Sequence, residues 1–301
     1  MADRFSVIGT AGELGNFDQT LVSAEVELVA QQMFPIEQVI NVTSKARKTG
    51  RTSQLSQIGA QTMADLSEST TLGMTEASAA FVSTSRTLTQ TTKGRDLFIT
   101  LLAEETGTAP SEAEIVDTLT KAYVKRRMTD LAALYTEAGS GSNLIGAAGS
   151  GFSYASHFLQ GLTRLAVGQV GGRKNLILAA PAIAEAGAES QFSEWQKLGS
   201  AWLDQDISVE TGFLGLSPFG VDAWFTNDYS TSGGANVSLM LYQRAIRMEI
   251  VMGAKVSRND TEYGVGSSSL KYGIRTIYAM NGSRDTSTTN SGVVAFLTSA
   301  A

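Results

Sequence analysis

The chain has 301 residues, 43% hydrophobic and only 17% charged, with a formal net charge of −6, one histidine and no cysteine. That length can bury one large core or two moderate ones. The missing cysteine excludes disulfides, thiolate chemistry and zinc–thiolate sites, and the acidic balance excludes a nucleic-acid binder that is basic all over.

A soluble monomer ordinarily carries charge on about a quarter of its residues. The low charged fraction here, together with 30 glycines, points to a surface partly covered by partners. No stretch approaches the roughly 18 consecutive apolar residues of a membrane-spanning helix. Met1 to Thr10 hold no basic stretch followed by an apolar run, so the expectation is a cytoplasmic protein with no secretory signal.

Residues 1–20 are glycine-rich and read as a loose arm. Leu21, Val22, Val26, Val29 and Met33 recur at helical spacing. They predict a helix over 21–34, capped by Asp18 or Thr20 and stopped by Pro35. Residues 43–92 are rich in serine and threonine and poor in large apolar side chains. Such a stretch cannot bury a core of its own. It reads either as disorder or as an extended two-stranded excursion, since threonine suits strands and Phe81-Val82 resumes an apolar pattern. A basic cluster, Lys45, Arg47, Lys48 and Arg51, opens it, and the acids Asp65, Glu68 and Glu76 follow. The two limbs can pair with each other or with a neighbour.

The next element is the most strongly signalled. Ser111-Glu112-Ala113-Glu114 is a capping box, the first-turn acids suit the helix dipole, and Gly139 supplies a stop. Ile115, Leu119, Ala122, Leu131 and Leu134 form an apolar stripe. A single helix over 111–138 follows, about 40 Å long. Residues 139–151 read as a flexible Gly/Ser loop, 152–167 as a helix and Asn175 to Ala179 as a buried strand. Pro181 fits the first turn of a helix running to Glu189, and a short helix fits Ser193 to Leu203. Strands are predicted over 208–214, 221–226, 237–242, 272–279 and 293–298. The whole is mixed α+β.

Few residues offer chemistry. Gly9-Thr-Ala-Gly12-Glu-Leu-Gly15 has the glycine spacing of a dinucleotide-binding turn, but no alternating βα pattern follows it. His157 is the only histidine and lies among aromatics on a predicted helix, where a satisfied helix-face role outweighs a catalytic one. Gly215 to Gly220 has the wrong spacing for a nucleophile elbow, and Pro218 blocks the helix it needs. Asp204, Asp206, Ser208 and Glu210 lack the turn glycine and terminal glutamate of a calcium loop. Lys121, Lys125, Arg126 and Arg127 form a basic patch on the long helix. Its readings are a solvated face with partners such as Asp117–Lys121, phosphate contact, or contact with a partner's carboxylates, which suits an assembly best.

The order of parts resembles that of the HK97-fold major capsid proteins of tailed phages. Ser111 to Ala138 is similar to their spine helix, and Asn175 through Pro181 to Glu185 to their central strand and helix. Thr211-Gly212 to Asn227 resembles a family hairpin, and Ala245 to Met252 with Glu262-Tyr263 and Leu270 to Gly273 the closing stretch. The resemblance implies an N-terminal arm (1–42), an extended E-loop (43–92) and a P-domain with its spine helix (93–138 and 111–138). An A-domain (139–254) and a return to the P-domain (255–301) complete the layout.

It also implies a non-enzymatic shell subunit without cofactor or metal. Its partners would be further copies in hexamers and pentamers, with portal, decoration and separate scaffolding proteins. Packaged DNA would be held by weak non-specific contact, and no membrane is involved. Assembly would take place in the host cytoplasm and the product would be the virion. The implied inter-subunit contacts are Lys45, Arg47, Lys48, Arg51, Asp65, Glu68, Glu76, Lys125, Arg126 and Arg127. The competing readings are an enzyme using the Gly9–Gly15 loop and a tail-tube subunit.

Overall fold

The computed structural model of the chain describes residues 19–57, 84–100, 106–138, 143–167, 172–182, 185, 213–216, 220–259, 269–283 and 292–298. Helix α1 (Gln19–Met33) turns Val22, Val26, Val29 and Ala30 inward at 3–4 spacing and leaves Leu21 and Leu28 exposed. Pro35 ends it, and a single turn α2 (Ile36–Val39) leads into β1 (Asn41–Ser44). Strands β2 (Thr52–Gln57) and β3 (Thr84–Thr89) pair antiparallel, and β4 (Thr91–Thr100) follows. Helix α3 (Glu112–Ala133) opens on the predicted capping box: the Glu114 amide donates to Ser111 Oγ at 3.3 Å and the Ser111 amide to Glu114 Oε2 at 2.9 Å.

The long helix is shorter than predicted. It ends at Ala133, giving about 33 Å, and tightens into a 3₁₀ turn over Leu134–Ala138. Its buried stripe also differs. Val116, Tyr123, Arg127 and Met128 join Ile115, Leu119 and Leu131, while Ala122 and Leu134 are only half-buried.

Beyond it, β5 (Leu144–Gly146) replaces part of the predicted flexible loop, because it has a parallel partner in the strand Val293–Thr298. A π-helical turn (Tyr154–Leu159) runs into α4 (Gln160–Val167). The remaining strands are β6 (Lys174–Ala179), β7 (Phe213–Leu216), β8 (Val221–Thr226), β9 (Thr231–Ser232), β10 (Ala235–Tyr242), β11 (Ile246–Asn259), β12 (Ser269–Gly282) and β13 (Val293–Thr298). The predicted helix over 193–203 lies outside the described residues. So does most of the one after Pro181.

Among the described residues the strands form three sheets. The smaller four-stranded sheet runs β1-β11-β12-β4. The larger runs β5-β13-β10-β6-β8-β7, with β9 added to β10, and β2-β3 stand apart as a hairpin. The pairs β1/β11, β6/β8 and β5/β13 are parallel and the others antiparallel. Helix α3 lies across both main sheets. Its first half packs Ile115, Val116, Leu119 and Tyr123 with α1, Val256, Tyr272 and Ile274. Its second half packs Met128 and Leu131 into the larger core around Leu176, Trp224, Met240 and Phe296. Each such side chain contributes about 1.5–3 kcal/mol through burial.

One buried polar group ties these layers together. Asn175 donates to the Val39 carbonyl at 3.1 Å and accepts from Trp224 Nε1 at 3.1 Å. Both ends of its amide are therefore satisfied, as burial requires.

The boundaries expected from chain order do not follow the sheets. The break at 92/93 falls inside β4 and the break at 254/255 inside β11. Residues 246–254 belong to the smaller sheet, whereas β13, near the other end of the predicted return, belongs to the larger one.

Candidate functional site

Two surface features stand out, and both are built on charged groups. The first is the root of the β2–β3 hairpin. Leu88 and Leu55 bury against Ala279 of β12, a small apolar foot. Beside it Glu249, only 6% exposed, accepts from Ser53 Oγ at 2.6 Å and from Gln90 Nε2 at 2.7 Å. Lys45 Nζ stands 3.9 Å from the same carboxylate and donates to Ser53 Oγ at 2.6 Å. On the other side Arg86 Nη1 donates to Oε1 of buried Glu137 at 3.1 Å, a charge-assisted hydrogen bond, and Nη2 stands 3.1 Å from Oε2. Asn281 Nδ2 adds a hydrogen bond to the Thr87 carbonyl at 3.2 Å. The two limbs thus have a fixed base, and the extended two-stranded reading holds for 52–57 and 84–89.

The second feature is the face where α3 meets β4 and β12. Asp130 gathers Lys93, Arg126 at 3.0 Å and the Tyr278 hydroxyl at 2.6 Å. Burial, followed by the hydrogen bond to Asp130, pushes the Tyr278 phenol well above its ordinary value. Glu27 of α1 accepts from Tyr123 Oη at 2.7 Å and from the Ala254 amide at 2.5 Å. Arg127 lies 3.5 Å from that carboxylate, with its guanidinium 4.1 Å from the centre of the Tyr123 ring. Burial lowers the Arg127 pKa, and Glu27 opposes the shift. At the start of α3, Glu112 binds Arg258 at 2.7 Å and accepts from the Tyr272 hydroxyl.

These positions sort the basic residues singled out in the sequence. Arg127 is 6% exposed and turned into the fold beside Glu27, so it is not an outward contact; the helical period that puts Tyr123 inward carries residue 127 inward with it. Lys45 is likewise spent within the chain, on Ser53, Thr52 and Glu249. Arg47, Lys48, Arg51, Lys125 and Arg126 are exposed. Arg51 also donates to the Gln90 carbonyl at 3.2 Å. Lys121 keeps its predicted partner Asp117 at 2.5 Å. Asp65, Glu68 and Glu76 lie outside the described residues.

Sequence reasoning missed Glu249, Glu137, Arg86 and Asp130, which organise both features. For Glu249 the only signal was an acid at every-second-residue spacing among Ile246, Met248 and Ile250.

The small-molecule readings gain nothing from the structure. His157 is buried, accepts from the Ser153 amide through Nδ1 at 3.1 Å and stacks on Phe152 at 5.5 Å. It is a buried histidine packed among aromatics, as the sequence suggested, with its Nδ1 held by the backbone. Gly9–Gly15 and Asp204 to Glu210 lie outside the described residues. Among the described residues no three of His, Cys, Asp or Glu are placed to hold a metal ion, and no helix is long and apolar enough to cross a membrane.

No family model matches the chain, and no curated protein matches it in sequence. Solved structures do match. The capsid structure of the cyanophage P-SCSP1u has a TM-score of 0.58 at 10% identity, over 88% of this chain and 88% of that one. The head structure of Helicobacter pylori bacteriophage KHP40 has a TM-score of 0.59 at 12% identity, over 85% and 87%. A virus-like particle from Pyrococcus furiosus has a TM-score of 0.53 at 8% identity, over 91% and 97%. The α+β, HK97-like fold implied by the sequence resemblance is thus the fold of this chain.

Proposed function

We propose that this chain is the major capsid protein of a tailed bacteriophage, assembling through hexamers and pentamers into an icosahedral shell that encloses double-stranded DNA. The observation that carries the reading is the fold, shared with phage capsid and head structures over most of both chains. The anchored hairpin supports it. A two-stranded projection with no core of its own has little to gain in a monomer, and ordering its base with two buried carboxylates makes sense when the projection must meet a neighbour at a set angle. In this reading residues 43–92 are the E-loop and α3 the spine helix. The α1–α3–small-sheet body is the P-domain, and the larger sheet the A-domain. Arg47, Lys48 and Arg51 are the described candidates for contacts between copies, whereas Lys125 and Arg126, expected there from the sequence, line a cleft between α3 and β4. Asp65, Glu68 and Glu76 are the acidic candidates. Scaffolding, portal and decoration proteins are the expected further partners, the host cytoplasm the place of assembly and the virion the destination.

Negative-stain electron microscopy of the purified protein tests this. Closed, roughly spherical shells, or six- and five-membered rings, are expected. A small monomer or dimer at every salt and protein concentration would overturn the reading, and open tubes would favour a tail-tube subunit.

A further inference from the structure

A cleft of about 640 Å³ opens between α3 and the β4–β12 edge. Four cations line it: Lys125 and Arg126 on the helix wall, Lys93 and Arg95 on the strand wall. Arg275 borders it, but its side chain leaves β12 on the opposite face of the sheet, beside Gly94 and Asp96. Among the described residues no carboxylate lines it, although the chain as a whole is acidic. Asp130 is shared between Lys93 and Arg126. Lys125 lies 3.5 Å from Asp228. Arg95 is exposed and has no ion pair among the described residues. The side chains of Lys125 and Arg126 are 71% and 57% exposed. Positive charge is therefore in excess along one concave track, with both walls contributing.

We propose that this cleft binds the phosphate backbone of nucleic acid, and so marks the face of the subunit turned towards the packaged DNA. The inference rests on the capsid reading, which makes DNA the polyanion at highest local concentration. Two of the four cations are arginines, whose planar forks suit phosphate oxygens. The apolar floor, with Leu119 and Ile274, is the underside of the smaller core, over which the aliphatic stems of the long cations can lie. No base-reading groups are arranged, so the binding is independent of sequence and sensitive to salt.

The test uses full-length unassembled protein, a short fluorescent DNA duplex and anisotropy titrations across a salt series. The variant is Arg95→Gln/Lys125→Gln, which leaves the Asp130 cluster and the core intact. The wild type is expected to bind at low salt. The variant is expected to bind at least about tenfold more weakly, with its log–log salt slope shallower by about 2, since each lost phosphate contact removes roughly 0.9. An unchanged slope, or a wild type that does not bind at low salt, overturns the proposal. So does polyglutamate displacing the duplex at lower charge concentration, which would make the occupant an acidic protein. Microscopy of the same samples separates the two readings. Shells with unchanged DNA binding in the variant sink only the cleft, whereas absence of shells from the wild type sinks the capsid reading.

Discussion

At the scale of single residues, the fold depends on a few acids that each serve several partners. Glu249→Ala removes the acceptor of Ser53 and Gln90 and leaves Lys45 half-buried without its anion. The expected cost is about 3 kcal/mol, read from urea unfolding; a loss under about 1 kcal/mol would show that the hub does not hold the hairpin base. Tyr278 gives a pH signature. Its unfolded phenol ionises near pH 10, while burial and Asp130 keep the folded one protonated well beyond that. Above about pH 10 the native state therefore holds more protons than the unfolded state, and stability falls as pH rises. The wild type should lose about 1.4 kcal/mol per pH unit relative to Tyr278→Phe in that range, and the gap between the two should be constant below it. Melting temperatures of the pair from pH 7 to 11 check this. None of this was visible in the sequence, because Asp130 meets Tyr278 and Lys93 only after β12 and β4 have paired.

At the scale of elements, local signals were read well where the physics is local. The Ser111 capping box, the Pro35 stop and the strands at 221–226 and 293–298 appear as predicted, and the strand predicted over 237–242 starts two residues earlier, at Ala235. Ser111→Ala should destabilise the protein by about 1 kcal/mol. The same substitution at exposed Thr108, outside any helix, should leave the urea midpoint unchanged within about 0.5 kcal/mol. What was misjudged depended on distant partners. β5 looked like a glycine-rich loop because its pairing with β13 spans half the chain. β4 was divided between the excursion and the next unit because its threonines and charges carry no core signature; its order comes from pairing along β12. Arg127 read as a surface cation because its helix also shows Lys125 and Arg126, and only the packing of α1 reveals that its face is inward.

At the scale of the whole molecule, the hairpin is expected to matter for association rather than for folding. Joining Gln57 to Thr84 by a two-residue Asn-Gly turn keeps β2, β3 and the Glu249 and Glu137 anchors while removing residues 58–83. The shortened protein should unfold within about 1 kcal/mol of the wild type, because the anchors remain, yet form no closed shells by microscopy. Shells of normal appearance would show that the projection is dispensable. The general architecture was legible because the order of elements survives in the sequence, whereas the partition of the chain between sheets was not, since strand order is set by non-local pairing.

That partition has a consequence for how the protein is made. The chain passes from the larger sheet to the smaller one between β10 and β11, and returns only with β13, which seats between β10 and β5. A nascent chain leaving the ribosome therefore cannot close either sheet when its first strands emerge. The smaller sheet waits for β12 and the larger for residues 293–298. Contacts of such large sequence separation form slowly, and until they do the exposed edges of β10 and β11 are open to stray pairing. A copy that stops short of β13 lacks the strand that joins β5 to β10, and so leaves the larger sheet in two unconnected parts.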